Sequence, residues 1–211
     1  MISFTCPTCG KHFTVPDAYA GRAARCKGCG AALKVPAAAN PGAPAGTGTP
    51  PGDPKLSPRA RRLLADAELL KKAFEKCEHI RIASFTGDPP DQYEIEYRVN
   101  SLERGGASQP RQRSEHRVRI SLTSDYPRLC PQCSMLTPIF HPNINETTIC
   151  VGDHWTAGER LVDLVIRIAE MLAYQAYNIR SPLDGEAAMW ADLNHDKLPT
   201  DPRDMRPAGL E

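Results

Sequence analysis

The chain has 211 residues, enough for one domain of ordinary size and a second, small one. Its formal net charge is +1, so the overall charge gives no reason to expect binding to nucleic acid or to a membrane surface. No run of about 18 apolar residues is present, and no apolar segment follows Met1, which argues against a membrane span and a signal peptide.

Two C-x-x-C pairs near the start predict a small metal-binding domain over residues 1–36. Sixteen residues separate the pairs, and each pair is followed by a glycine. Four thiolates at this spacing suit tetrahedral Zn²⁺, and a piece this small needs the metal to fold. With short strands predicted at residues 13–15 and 32–35, the stretch is similar to a zinc ribbon, and redox use of the pairs is the alternative. The predicted ligands are Cys6, Cys9, Cys26 and Cys29.

The sequence predicts which metal this small domain binds, but it leaves several roles open for the domain. Its basic residues admit nucleic-acid binding, but a solvated face around a structural metal is the preferred interpretation. Recruitment of a substrate or a ligase also fits a small module on a tether. The eight cysteines fall largely into close pairs, which favours metal ligation and thiol chemistry in a reducing cytoplasm over a disulfide framework.

Residues 37–56 form the predicted tether. They consist mainly of Ala, Pro, Gly and Thr, and large apolar side chains are missing. Such a segment cannot bury enough apolar surface to offset the entropy lost on ordering, so we expect a flexible linker. Residues 57–211 then form the second domain.

The second domain begins with a predicted helix and two strands. Ser57 is a suitable N-cap, Pro58 suits the first helical position, and an apolar face continues to about His79. A strand is predicted at residues 80–86. A second strand at residues 93–99 alternates apolar and polar side chains, as in a half-buried antiparallel sheet.

Two further strands and two helices complete this domain. The strands are predicted at residues 118–122 and 133–136. Thr156 and Glu159 have the spacing of a capping box ahead of an apolar helical stripe, and a last helix is predicted at residues 185–194. One helix, four strands and then helices define an α+β fold.

A lone thiol is the candidate reactive group of the second domain. Asn143 lies seven positions before Cys150. A thiolate can accept an acyl group, and an amide N–H can stabilise the oxyanion that forms when an amine attacks. A buried structural thiol is the alternative for a cysteine flanked by two apolar residues.

Further residues stand around this thiol in a fixed order: Tyr126-Pro127, Pro131, the run LTPIFHPN at residues 136–143, Ile149-Cys150, Trp155 and Pro182-Leu183. In order and approximate spacing this pattern resembles ubiquitin-conjugating enzymes. The resemblance extends over about residues 57–194 and implies a first helix, a four-stranded meander and a crossover helix. Departures, including a short segment after the thiol, suggest a bacterial or otherwise divergent member.

The resemblance implies a role for each matching residue. Cys150 corresponds to the nucleophile that forms a thioester. Asn143 corresponds to an Asn that stabilises the oxyanion or holds the active-site loop, and His141 to a structural hydrogen-bonding residue. Ser181 falls in the gate for the incoming lysine, although a solvent-facing loop serine fits equally well. Trp155 is expected to serve packing rather than chemistry.

The function implied is a transferase that carries a ubiquitin-like modifier on Cys150 and passes it to an amine. The implied partners are an activating enzyme, the modifier, an amine acceptor and, as a further candidate, a ligase; no cofactor is expected at the thiol. The first alternative is an inactive interaction or scaffold protein of the same fold. The second is a thiol hydrolase using Asp153 and His154, disfavoured because a His four positions from its Cys rarely has the right geometry.

Two other groups of residues have candidate roles. Cys130 and Cys133 form a third C-x-x-C, for which buried thiols are preferred over a redox pair or a ligand set that includes Cys77. The first helix is rich in basic residues and docks on the activating enzyme in the resembled family. A solvated face is the alternative. The candidate contacts are Arg59, Arg61, Arg62, Lys71 and Lys72.

Overall fold

The protein divides into two units in the computed structural model, Met1–Asp53 and Pro54–Glu211. The structure describes residues 2–5, 11–15, 21, 23–35, 56–106, 109–151 and 155–210. Apart from Leu56, the predicted linker at residues 37–56 lies outside these residues. The predicted limits of the two domains and the linker therefore stay predictions.

The described part of the first unit consists of two antiparallel hairpins. Strand β1 (Ile2–Thr5) pairs with β2 (His12–Val15), and β3 (Ala23–Arg25) pairs with β4 (Ala32–Lys34). The predicted strands at residues 13–15 and 32–35 are confirmed. A small apolar cluster in this unit has Cys26 and Leu33 at its centre.

The second unit starts with helix α1 (Pro58–Phe74). The predicted start is confirmed, because the Ser57 hydroxyl accepts a backbone N–H of the first turn at 3.1 Å. The helix ends five residues before His79, whose carbonyl instead accepts the backbone N–H of Arg98 at 2.8 Å at the start of the sheet. Its buried side chains are Leu63, Asp66, Leu70 and Phe74.

Four antiparallel strands form the main sheet in the order β10-β9-β6-β5, so the predicted meander is confirmed. The pair β7-β8 is a separate hairpin between β6 and β9 that the sequence did not predict. Tyr93, Ile95 and Tyr97 are buried on the inner face, whereas Val99 lies beyond the end of β6. The strands are β5 (Ile80–Gly87), β6 (Pro90–Tyr97), β7 (Ser101–Arg104), β8 (Pro110–Arg113), β9 (His116–Ser121) and β10 (Gln132–Met135).

The outer face of this sheet is an ion-pair network centred on Glu96. Its carboxylate is only 10% exposed, and its pKa is lowered mainly by the hydrogen bond from Arg81. A second pair on the same face joins Glu94 to Arg119 at 2.9 Å. The three guanidinium groups that surround Glu96 are those of Arg81 at 2.7 Å, Arg98 at 3.1 Å and Arg117 at 3.7 Å.

Two helices follow the sheet, α2 (Leu161–Leu172) and α3 (Gly185–Leu193). The Tyr97 hydroxyl of β6 donates to the backbone carbonyl of Val165 in α2 at 3.2 Å, which ties the sheet to this helix. The predicted last helix is confirmed to within one residue. No helix among the described residues combines the length and apolar character needed to cross a bilayer.

The predicted capping box ahead of α2 is wrong. Helix α2 begins after Arg160, which makes no side-chain cap. Thr156 and Glu159 instead form a turn through a backbone hydrogen bond of 3.0 Å. The carboxylate of Glu159 accepts from Arg167 at 2.7 Å, so it is not available to reach back to the helix start.

Candidate active site

Cys150 is exposed, and the backbone at and before it is hydrogen-bonded to two other segments. Its N–H donates to the Asn143 carbonyl at 3.0 Å, and the preceding Ile149 N–H donates to the Cys133 carbonyl of β10 at 3.1 Å. The Ile149 side chain is buried in the core. Because side chains alternate along extended chain, burial of Ile149 directs the neighbouring thiol outward. The alternative of a buried structural thiol does not fit this arrangement.

A side-chain turn shapes the loop that leads to this thiol. The Asn145 side-chain oxygen accepts the backbone N–H groups of Thr147 at 3.0 Å and Thr148 at 2.8 Å. The Asn145 N–H donates to the Thr148 carbonyl at 3.0 Å. An Asn side chain that mimics a backbone turn in this way closes the loop without a glycine.

Asn143 is almost fully buried, and its side chain braces the loop at residues 178–181. Its amide nitrogen donates to the Asn178 carbonyl at 2.8 Å and to the Ser181 carbonyl at 3.5 Å. Its amide oxygen accepts the Asn178 N–H at 2.6 Å. Both ends of the carboxamide are therefore engaged, which favours the loop-holding role over direct oxyanion stabilisation.

His141 is fully buried and has the geometry of a structural residue. Burial lowers its pKa to about 3, although the Met171 carbonyl acts in the opposite direction. Its Nδ1 accepts the Asn143 N–H at 3.0 Å, so we assign the proton of the neutral ring to Nε2. The ring packs on Tyr174 with centroids 4.7 Å apart. A neutral, enclosed imidazole with Nδ1 occupied is unsuited to act as a base on a substrate.

Ser181 is exposed on the braced loop. Its backbone carbonyl receives the weaker Asn143 hydrogen bond. The following residues are held as well, because the Pro142 carbonyl accepts the N–H groups of Leu183 at 2.7 Å and Asp184 at 3.0 Å. The segments that begin at His141 and at Asn178 are thus connected by both side-chain and backbone hydrogen bonds. This connection places the segment with His141, Asn143 and Cys150 beside the loop with Ser181.

Trp155 serves packing, and two neighbouring predicted residues fall outside the described part. The Trp155 indole N–H donates to the Pro127 carbonyl at 2.8 Å, and its ring lies 5.9 Å from that of Tyr126. Asp153 and His154, weighed above as a hydrolase pair with Cys150, lie outside the described residues.

In the third C-x-x-C, Cys133 is buried and Cys130 is half-buried. Cys133 is 7% exposed, and burial, with a contribution from Cys130, raises its pKa to about 12. Burial also raises the pKa of Cys130. Such thiols are poor nucleophiles, which supports the preferred interpretation of buried thiols. Among the described residues, no three Cys, His, Asp or Glu side chains form a metal-binding group, so Cys77 does not complete a site there.

The first unit carries two of the four predicted zinc ligands within its described residues. The Gly28 N–H donates to the Cys26 sulfur at 3.3 Å, and Gly30 has a φ of +74°. An N–H directed at sulfur and a left-handed glycine suit a C-x-x-C knuckle around a metal. Cys29 is exposed at the turn between them. Cys6 and Cys9 lie outside the described residues.

The basic residues of α1 divide into two groups. The Arg59 guanidinium donates to the Leu122 carbonyl at 2.8 Å, and that of Arg62 donates to the Asp66 carboxylate at 2.7 Å. Both are therefore engaged within the domain. Three cations stay exposed and available to a partner: Arg61, Lys71 and Lys72.

Arg104 is a residue beside this site that the sequence did not indicate. It lies at the end of β7 and pairs with Asp184 at 2.5 Å and with Glu186 at 2.6 Å. Asp184 also caps α3 by accepting the N–H groups of Glu186 and Ala187. An N-cap signal could have identified Asp184, since Asp precedes a predicted helix. Nothing in the sequence connects it to an arginine 80 residues away.

A comparison with family models identifies the family of this chain. The family profile described as "Ubiquitin-conjugating enzyme" matches residues 76–200, more than half of the chain. The chain therefore belongs to the ubiquitin-conjugating enzyme family.

Individual relatives are distant. The chain is 29% identical over 102 residues to "Ubiquitin-conjugating enzyme E2 S" of Dictyostelium discoideum, covering 46% of each protein. It is 29% identical over 136 residues to the protein of that name in Branchiostoma floridae, covering 63% of this chain and 59% of the relative. It is 30% identical over 78 residues to "SUMO-conjugating enzyme UBC9" of Caenorhabditis elegans, covering 34% of this chain and 46% of the relative. The chain thus spans about half the length of these relatives.

Among solved structures, Ubc12 of S. cerevisiae is similar in fold. The TM-score is 0.51 at 18% sequence identity, and the match covers 66% of this chain and 74% of Ubc12. At this identity the likeness shows the fold alone.

Proposed function

We propose that the protein carries a ubiquitin-like modifier as a thioester on Cys150 and transfers it to an amine, typically that of a lysine. The observation that supports this most directly is the exposed sulfur on a backbone that is hydrogen-bonded to the Asn143 and Cys133 carbonyls. A macromolecular thioester can reach such a sulfur, and the fixed backbone holds it in one place during the transfer.

The first step is an exchange of thioesters. The Cys150 thiolate attacks the carbonyl carbon at the modifier's C-terminus, which is bound to a thiol of the activating enzyme. A new carbon–sulfur bond forms, the old one breaks, and the activating enzyme's thiolate leaves. ATP is used by that enzyme and not here. Because one thioester replaces another, the free-energy change is small.

The second step is attack by the acceptor amine. The ammonium of the incoming lysine loses its proton to solvent, and the amine nitrogen attacks the thioester carbonyl. The carbon–nitrogen bond forms, the nitrogen releases a second proton to solvent, and the Cys150 thiolate leaves. Asn143 acts through the loop at residues 178–181, which it holds beside the approach path. Ser181 lies on that loop as a gate residue, and His141 maintains the backbone of Asn143.

The test is formation of an adduct that a reductant removes. The protein is incubated with ATP and matched pairs of activating enzyme and modifier. The first pairs are those of ubiquitin and SUMO, because the relatives carry these names; pairs encoded beside the gene follow. We expect a reductant-sensitive adduct with the wild type. Cys150→Ala should form none, and Cys150→Ser should form an adduct that resists reductant, since an oxygen ester replaces the thioester.

Cys130→Ala is the matched control, because it removes a half-buried thiol outside the proposed site. It should form the adduct like the wild type. Absence of an adduct with a competent cognate pair would point to an inactive scaffold of the same fold. Cleavage of a conjugate by the protein alone would point to a thiol hydrolase.

We propose further that Cys6, Cys9, Cys26 and Cys29 hold a structural Zn²⁺. The sulfur-directed N–H of Gly28 supports this ligand set. One equivalent of zinc should copurify with the full chain, and Cys26→Ser should remove it while adduct formation on Cys150 continues. A metal-free wild-type protein with both hairpins intact by NMR would contradict this proposal.

The partners are part of the same proposal. The exposed cations of α1, Arg61, Lys71 and Lys72, are candidate contacts for the activating enzyme. A charge reversal such as Lys72→Glu should slow adduct formation and leave later discharge to free lysine unchanged. The cytoplasm, with its reducing thiol pool, is the compartment in which we expect this chemistry.

A further inference from the structure

Arg167 of helix α2 contacts the residue that follows the proposed nucleophile. Its guanidinium donates to the Val151 carbonyl at 3.1 Å and to the Glu159 carboxylate at 2.7 Å. The side chains of Arg167 and Glu159 are 34% and 13% exposed, so the pair is partly withdrawn from solvent. Because a guanidinium has its donors in a fixed planar arrangement, this contact sets the position of the carbonyl relative to the carboxylate.

The backbone that follows Cys150 is held by this contact. The Val151 N–H donates to the Ile149 carbonyl at 3.0 Å, so the chain turns tightly at Cys150. The hydrogen bonds described above for the candidate site act on the N–H groups of Ile149 and Cys150. Arg167 adds a tie on the other side of the sulfur, from a helix whose neighbouring side chains, including Ile166 and Ile168, are buried.

Glu159 is itself held in place by helix α1. The Arg62 guanidinium donates to the backbone carbonyl of Ala157 at 2.8 Å and to that of Glu159. The Asp66 carboxylate accepts from Arg62 at 2.7 Å, which fixes the guanidinium in turn. Since its backbone is held by α1, the carboxylate of Glu159 can orient the Arg167 guanidinium toward the thiol-bearing segment.

The charges of this pair indicate an effect on position. Glu159 neutralises Arg167 at 2.7 Å, so the two side chains together contribute a weak net field at the sulfur. Release of the Val151 carbonyl would instead let the peptide group that follows Cys150 rotate. The thioester would then spend less time in the geometry in which an amine can attack its carbonyl carbon.

We propose that Arg167 is a positioning residue for transfer from Cys150, and that Glu159 orients Arg167 for this role. Arg167 acts through the Val151 carbonyl rather than by contact with the modifier or the acceptor. This inference rests on the proposed function, because the reaction it supports is attack of the acceptor amine on the Cys150 thioester. The bonds that form and break are those given above.

The first measurement is discharge from the loaded protein. Full-length wild type and variants are loaded to completion with a cognate activating enzyme, modifier and ATP. ATP is then removed, and the rate constant of discharge to free lysine is measured in a single turnover. Arg167→Gln and Glu159→Gln each remove one half of the pair. We expect each to slow discharge about tenfold, because the thioester is held less well in its reactive geometry.

Two further variants separate positioning from general stability. Arg167→Lys retains a donor for the Val151 carbonyl and should discharge within about threefold of the wild-type rate. The double variant Glu159→Arg with Arg167→Glu restores an ion pair and should recover the urea midpoint of the wild type. Because a carboxylate cannot donate to the Val151 carbonyl, discharge by the double variant should stay about tenfold slower than that of the wild type.

NMR supplies a second measurement that needs no modifier. The carbonyl carbon resonance of Val151 reports the hydrogen bond that its oxygen accepts, and we expect an upfield shift in Arg167→Gln. Arg119→Gln is the matched control, because it removes an ion pair of the same type, with Glu94 at 2.9 Å, on the outer face of the sheet. It should change neither the discharge rate nor the Val151 resonance.

The outcomes separate two failures. Wild-type discharge by Arg167→Gln, an unchanged Val151 resonance, or recovery of the rate in the double variant would overturn the positioning role while the thioester function stands. Failure of the wild type to load with a competent cognate pair would overturn the proposed function and this inference with it.

Discussion

Cys133 and Cys150 lie on neighbouring, hydrogen-bonded segments and yet differ in the exposure of their thiols. The Ile149 N–H next to Cys150 donates to the carbonyl of Cys133 itself. Cys133 is buried on β10 with its pKa raised to about 12, whereas Cys150 is exposed. By motif alone, the C-x-x-C of Cys130 and Cys133 attracts a redox or metal interpretation, and the lone Cys150 a structural one. The environment favours the opposite in each case, because Cys133 is enclosed and Cys150 is accessible.

The two segments also differ in what holds them. Cys133 belongs to strand β10, and its side chain enters the core. Cys150 follows a loop held by the Asn145 turn and by the carbonyl of Asn143. A reactive thiol on a macromolecular substrate path needs an exposed side chain on an ordered backbone, and hydrogen bonds from the preceding loop provide the order.

The largest expected contrast between the two thiols is in alkylation. At pH 8 a thiol with a pKa of about 12 is thiolate only about once in 10⁴ molecules. We expect iodoacetamide to label Cys150 on the order of a thousandfold faster than Cys133, measured by peptide mass spectrometry. Because the pKa of Cys133 is raised, an increase from pH 7 to pH 9 should still leave it protected. Comparable labelling rates of both thiols in the folded protein would contradict this difference in reactivity.

The second expected effect concerns the loop beside Cys150. Asn143→Ala leaves the Asn178 N–H without its acceptor and should lower the free energy of unfolding by about 1–3 kcal/mol. Transfer to an amine should fall by about tenfold to a hundredfold because the braced loop loosens. Urea unfolding and single-turnover discharge measure the two effects.

This variant also separates the two roles considered for Asn143. A residue that served only the oxyanion would lose transfer activity and leave unfolding unchanged. Asn100→Ala is the matched control, since it removes an exposed amide outside residues 143–150 and 178–181, and it should leave both measurements near the wild-type values.

The third expected effect is a pH dependence of stability that comes from two buried histidines. Burial lowers the pKa of His141 to about 3 and that of His116 to about 4. In the unfolded chain both imidazoles take up protons near pH 6.5, whereas in the folded state they stay neutral down to about pH 4 and pH 3. Their contribution to the free energy of unfolding is therefore fully present above pH 6.5 and is lost as the pH falls toward the folded pKa values. On going from pH 7 to pH 5, each of the two histidines should lower the free energy of unfolding by about 2 kcal/mol.

Urea midpoints at the two pH values measure this slope. His141→Asn retains an acceptor for the Asn143 N–H and should remove about half of the pH dependence. His195→Gln, which changes an exposed histidine, should leave it unchanged. A wild-type midpoint that is equal at pH 7 and pH 5 would contradict the burial of both imidazoles.

The smallest expected effect is at Arg104. Arg104→Gln removes the pair with Asp184 but leaves the Pro142 and Asn143 hydrogen bonds to the same loop. Since the side chain is 52% exposed, we expect amine transfer to slow by only about twofold to fivefold, with thioester formation retained. Arg111→Gln is the matched control, because Arg111 is 70% exposed and pairs with the buried carboxylate of Glu103, away from that loop. Equal rates for both variants would remove Arg104 from the support of the site.

Local patterns predicted much of this fold, and long-range contacts set the rest. Ser57 and Pro58 specified the start of α1, and alternation in β6 specified the buried face of the sheet. The capping box failed because Glu159 pairs with Arg167, a partner that the local pattern does not include. The hairpin β7-β8 was missed because a polar sequence with two glycines reads as loop until its two sides pair.

The candidate site divides in the same way. Cys150 and Asn143 were identified from their order and spacing within a family pattern. The bracing contact of Asn143 joins it to a carbonyl 35 residues away, and Arg167 reaches a carbonyl 16 residues before it. Neither periodicity nor spacing encodes which backbone groups meet across such separations.

The outer face of the sheet shows how little a total charge says about one surface. Four guanidinium groups meet two carboxylates there, an excess of two positive charges, whereas the whole chain carries +1. Residues 1–53 hold five Lys and Arg against two Asp, so the rest of the chain beyond this sheet face carries a net charge of −4. A polyanion approaching the unit Pro54–Glu211 would experience attraction at the sheet face and repulsion from the other charges of that unit, so its orientation depends on geometry that the isoelectric point averages away.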